Sequence, residues 1–153
     1  MANHSATVRW FASPGEDFAR GKYSRAHSWN FDGGTIVPAS ASPHIVPAPW
    51  ADAAAVDPEE AFVASLASCH MLFFLDFARR SGVIVTSYED EADGVMEKGE
   101  DGRVRITKVT LRPKIVFGSG EPDSAALNAL HLKAHEACFI ANSTTAEVVV
   151  EPR

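Results

Sequence analysis

Residues 57–81 constrain this chain more than any other stretch. Asp57-Pro58-Glu59-Glu60 is a strong helix start: Asp57 can cap, Pro58 suits the first helical position, and Glu60 completes a capping box. Gly82 stops the helix after Ser81. Between them Phe62, Leu66, Cys69, Leu72 and Phe73 recur at helical spacing, yet Val63, Ala67, His70, Met71, Phe74 and Leu75 fill the remaining directions. A helix apolar on nearly all sides must be buried on nearly all sides. A chain of 153 residues is one domain's worth and has trouble surrounding such a helix alone, so oligomerisation is one solution. The uncharged run Ala61 to Leu75 is shorter than the roughly 20 residues a bilayer span needs, and Arg79 and Arg80 close it. It reads as a buried core helix, with no membrane partner.

The flanks supply strands. Thr7 to Phe11 is β-rich, and Lys22 to Phe31 alternates with period two, placing Tyr23, Arg25, His27, Trp29 and Phe31 on one face. Asp32-Gly33-Gly34 is a turn, and Thr35 to Val37 resumes a strand. Pro38 to Val56 holds four prolines, which forbid a helix or a central strand. After the helix, residues 83–96 and 103–117 read as two long strands around a turn at 97–102. A second helix runs from its Asp123 cap to about Phe139, with Leu127, Leu130, Ala134 and Cys138 on one stripe, and 145–150 is a last strand. The order βββ-α-ββ-α-β is an α+β fold with antiparallel sheet and a long central helix. We read residues 1–153 as one domain, with strands and a Pro-rich loop over 1–56 and a helix-hairpin-helix-strand core over 57–153.

Charge narrows the partners. Fourteen Lys and Arg against 20 Asp and Glu leave a net charge of −6, so a bare nucleic-acid backbone is repelled. The first residues have no basic and apolar leader, and two cysteines are too few for a disulfide scaffold; both fit a cytoplasmic chain with reduced thiols. We assign no cofactor.

The two cysteines, Cys69 and Cys138, both fall on expected helices, and three readings stand side by side. Free cysteine packs as a small hydrophobe. Cys69, His135 and Cys138 could hold a metal, although neighbours such as Cys69 and His70 point about 100° apart on a helix. Or the thiols do redox chemistry, which needs a cation nearby to favour the thiolate. Arg20, Arg25 and His27 are the basic candidates on the N-terminal strands.

Asp57-Pro58-Glu59-Glu60-Ala61-Phe62 through Ala67-Ser68-Cys69 resembles the Asn-Pro-Glu-x-Leu-x-Ala-(x)4-Ala-Cys helix of the OsmC/organic hydroperoxide resistance (Ohr) family. Ala134-His135-Glu136-Ala137-Cys138, followed by Asn142-Ser143, is similar to that family's Ala-His-x-x-Cys-Pro-x-Ser. Phe139 stands where the family often has proline, and the loop Pro38 to Val56 has no arginine. The resemblance implies antiparallel sheets wrapped around long buried helices in an intertwined homodimer, with active sites at the subunit interface. It implies a thiol peroxidase of organic hydroperoxides, with Cys69 peroxidatic, Cys138 resolving, and a dithiol reductant of the lipoyl type. Glu59 matches the glutamate that holds the active-site arginine. For that arginine Arg20 and Arg25 both stand, and we favour Arg25 because it lies in the alternating run.

Under this reading Cys69 attacks the peroxide bond, becomes a sulfenic acid and condenses with Cys138. Ten residues of straight helix put Glu59 about 15 Å from Cys69. For both to act, the helix must break or Glu59 must come from the other subunit; otherwise Glu59 only complements the helix dipole. The competing readings are a non-catalytic or small-ligand-binding member of the same fold, and a Cys/His metal-binding protein.

Overall fold

The capping box is in place. The Glu60 N–H donates to Asp57 Oδ1 at 2.7 Å and the Asp57 N–H donates to Glu60 Oε2 at 3.2 Å, opening helix α1, Pro58–Arg80. The computed structural model describes every residue, Met1–Arg153, and the chain divides into two compact units, Met1–Ala61 and Phe62–Arg153.

In the first unit, β1 (Ala6–Arg9), β2 (His27–Phe31) and β3 (Ile36–Ala39) form an antiparallel meander with Val8, Trp29 and Val37 in register. Gly34, at φ 86°, makes the β2–β3 turn that a side chain would strain. The alternating run from Lys22 is strand only from His27 onward. Its first half is diverted by side chains: Glu16 accepts the Ser24 N–H at 2.8 Å, and the Arg25 guanidinium donates to the Gly21 and Tyr23 carbonyls. Groups occupied in this way are unavailable to a ladder. The Pro-rich segment is stitched to β3 instead of pairing as a strand. The Val56 N–H donates to Pro38 O and the Ser40 N–H to Val56 O, both at 3.1 Å, while the Asp52 N–H donates to Ser40 Oγ at 3.0 Å.

The second unit holds two small sheets where two long strands were expected. β4 (Ile84–Asp90) pairs antiparallel with β7 (Pro113–Ser119). β5 (Asp93–Lys98) pairs antiparallel with β6 (Val104–Leu111), and β8 (Glu147–Val150) joins β6 in parallel. Both expected strands break at one place, Glu91-Ala92 against Arg112. There the Asp90 carboxylate takes the Arg112 N–H at 2.6 Å, and the Arg112 guanidinium pairs with Asp93 and, at 3.6 Å, with Glu151. The side chain of Asp90 therefore does what a strand partner would do, and the pairing changes sheet.

Two apolar clusters line α1. Leu66 packs with Val109 and Leu111, and Phe74 and Ala78 pack with Val83, Leu130 and Ala134. Each fully buried Leu or Phe here stabilises by roughly 1.5–3 kcal/mol. Helix α2, Ser124–Ala137, is capped by Asp123, which accepts the Ala126 N–H at 2.8 Å. It ends one residue before Cys138, which is extended (ψ 112°), so Cys138 terminates the helix instead of lying on it.

The all-round burial expected of α1 is not met within one chain. Only Leu66, His70, Phe74 and Ala78 are buried, a single stripe at i, i+4, i+8 and i+12, and Leu72 is 61% exposed. At 23 residues α1 is also long and apolar enough to cross a membrane by length and composition.

Candidate active site

The second unit brings the two cysteines together. Cys69 is half-buried in the middle of α1; Cys138 is wholly buried at the end of α2; both are free thiols. Burial pushes the Cys138 thiol up, and the adjacent Cys69 thiol adds to that. The Ala141 N–H, donating to Cys138 Sγ at 3.4 Å, works in the opposite direction.

The residues after Cys138 hold it there. The Asn142 N–H donates to Cys138 O at 3.0 Å, its Nδ2 donates to Glu136 O at 2.9 Å, and Ser143 Oγ donates to Phe139 O at 2.7 Å. Asn142 and Ser143 thus close the turn that presents the buried sulfur. Phe139 is 71% exposed and meets Phe73 edge-on, with ring centroids 5.0 Å apart.

Arg25 and Glu59 belong to the first unit. Arg25 is half-buried and fixed: Nη1 donates to Gly21 O at 2.9 Å and Tyr23 O at 2.5 Å, and its guanidinium carbon lies 3.7 Å from the Tyr23 ring centroid. Its own N–H donates to Trp50 O at 2.8 Å, tying it to the Pro-rich segment. Arg20, by contrast, is 78% exposed in an i,i+3 pair with Asp17. Glu59 Oε2 is buried without a partner. Helix α1 runs unbroken through Glu59 and Cys69, so the two lie about 15 Å apart along its axis and a broken helix cannot reunite them. His27 is satisfied locally: Nε2 accepts the Trp29 indole N–H at 3.0 Å, which leaves Nδ1 to donate to Arg25 O at 2.7 Å.

One pair escaped the sequence reading. His70 Nε2 and His131 Nδ1 are 3.1 Å apart, joining α1 to α2, and the residues are 1% and 4% exposed. Burial, then the neighbouring His131 and His135, push His70 down to about 4; burial pushes His131 down to about 4. Both rings are therefore neutral at pH 7. The signal for it is a polar residue on an apolar stripe: His131 sits among Leu127, Leu130 and Ala134 at helical spacing. Cys69, His135 and Cys138 do not form a cluster able to hold a metal ion, nor does any other group of three His, Cys, Asp or Glu.

Fold and site together define an α+β protein that sets one accessible thiol beside one buried thiol. Residues 51–153 match the family described as OsmC-like protein, and the chain belongs to that family. It is similar over 100% of both chains to the solved structure of an OsmC-like protein of unknown function from Vibrio cholerae, with 51% identity and a TM-score of 0.97. The organic hydroperoxide resistance protein OhrB of Bacillus subtilis shares the fold at 23% identity and a TM-score of 0.70, over 99% of this chain and 98% of that one. An organic hydroperoxide resistance protein OsmC from Legionella pneumophila does so at 18% identity and a TM-score of 0.67, over 99% and 97%. No curated protein sequence matches the chain.

Proposed function

We propose that this chain is a thiol-dependent peroxidase that reduces organic hydroperoxides to alcohols in the cytoplasm, working as a homodimer. The observation that carries the reading is the unequal cysteine pair: Cys69 half-buried, Cys138 fully buried beside it with its thiol pushed up. A peroxide meets the accessible sulfur first, while the protonated partner waits. The Cys69 thiolate attacks one peroxide oxygen, the O–O bond breaks, and the departing alkoxide takes a proton to become the alcohol. Cys69 is left as a sulfenic acid. Cys138 then attacks that sulfur, the S–S bond forms, and hydroxide leaves with the Cys138 proton as water. A dithiol, of the lipoyl type by resemblance, reduces the disulfide by two exchange steps.

Arg25 is the proposed activating cation, supported by its fixed guanidinium where Arg20 is exposed. Glu59, with a buried oxygen lacking a donor, is the proposed carboxylate that orients it. The uncovered apolar surface of α1, including Leu72, supports a second copy as its cover. The solved relatives described as organic hydroperoxide resistance proteins support the substrate class. The test is steady-state consumption of cumene hydroperoxide with dihydrolipoamide as reductant. Turnover by wild type and none by Cys69→Ser is expected; equal consumption by the two proteins would refute the proposal.

A further inference from the structure

The His70–His131 contact is more directional than its burial requires. The ring planes lie within 9° of parallel, and the centroids are 5.4 Å apart while the facing nitrogens are 3.1 Å apart. The excess is the width of one imidazole ring. The rings therefore share a plane and meet nitrogen to nitrogen, with a single proton between them. Phe74, one turn after His70, lies against the face of His131 at 4.5 Å and 28°, so α1 holds that ring both end-on and from above. The outer nitrogens, His70 Nδ1 and His131 Nε2, are buried without partners. Two apolar side chains would fill this space without that desolvation penalty. What they would not supply is a fixed register between the helices.

The position of the bond gives that register a use. His70 directly follows Cys69 on α1, and His131 lies on α2 seven residues before Cys138, the residue that ends that helix. We propose that His70 and His131 are positioning residues for the cysteine pair: their hydrogen bond locks α1 against α2 in the register that keeps Cys69 beside Cys138, ready to form the disulfide. This rests on the redox reading of the two thiols, though not on the peroxide being the oxidant.

The test equilibrates the full-length protein in a glutathione redox buffer with no hydroperoxide, and reads the Cys69–Cys138 disulfide by intact mass. Two protein thiols give up two hydrogens and two electrons as the protein S–S bond forms, and the S–S bond of oxidised glutathione breaks to give two thiols. The H70L/H131L variant keeps the packing and removes the bond. The H70Q/H131N variant restores an amide bridge, because the Gln amide stands near imidazole Nε2 and the Asn amide near Nδ1. The disulfide equilibrium constant should fall about tenfold or more in the leucine variant, as the effective concentration of one thiol at the other drops, and the amide variant should recover most of it. Equal constants in all three proteins, or a folded amide variant with no recovery, would overturn the proposal; so would a wild type that forms no such disulfide. Should the double leucine variant not fold, H131L and H131N singly make the same comparison. A wild type that forms the disulfide in glutathione but not with cumene hydroperoxide would defeat the peroxidase reading and leave this one standing.

Discussion

Acid should unfold this protein through His70 and His131. Folded, each ring is held at about 4 against an ordinary 6.5. Between those values the unfolded chain binds more protons than the folded one, so stability falls as pH falls through the window and is whole above about 6.5. From pH 7.5 to 4.5 each ring withdraws about 2.5 kcal/mol and the two together about 5 kcal/mol, a large part of the 5–15 kcal/mol that usually separates folded from unfolded chains. Asp90 has the opposite sign, because burial raises its carboxyl, so its contribution grows as pH falls. The assay is urea unfolding at pH 7.5, 6.5, 5.5 and 4.5 and at one protein concentration, comparing wild type with H70L/H131L. Asp90 and the surface carboxylates are common to both proteins and cancel. The variant should lose about 5 kcal/mol less than wild type over this range. Parallel pH curves would refute the claim that the histidine pair is buried and neutral.

Other outcomes follow from named groups. Cys138→Ser should still lose its Cys69 thiol to hydroperoxide but stop at the sulfenic or over-oxidised form, seen as added oxygen by mass. Arg25→Ala should slow the first oxidation of Cys69 well beyond the effect of Arg20→Ala, by single-turnover thiol loss. Leu72→Glu, on the 61% exposed side of α1, should convert a sedimenting dimer to monomer. Asp57→Ala removes one arm of the capping box and should cost about 1 kcal/mol in urea unfolding.

Much of the fold is legible because local chemistry agrees with it. Asp57 and Asp123 cap the helices their positions announce, and Gly82 and Gly34 stand at the expected stops. The misread places are those where a side chain takes over a backbone task. Glu16 and Arg25 consume the groups that would extend β2, and Asp90 satisfies the Arg112 N–H where one strand becomes two. Periodicity carries no mark of such exchanges. The parallel pairing of β8 with β6 is a long-range choice, equally silent in sequence. At the site, both cysteines stand out from their motifs, and their adjacency is a product of helix packing. His131 is hidden because a histidine on an apolar stripe declares its role only when its partner, 61 residues away, is in view.

The central claim is that Cys69 and Cys138 react as a pair with an organic hydroperoxide. Fully reduced protein treated with one equivalent of cumene hydroperoxide tests it directly, by thiol count and intact mass. Loss of two thiols with a mass decrease of about 2 Da, the two hydrogens of one disulfide, is the predicted result. Two thiols still titrating at millimolar hydroperoxide, with the mass unchanged, would contradict the account.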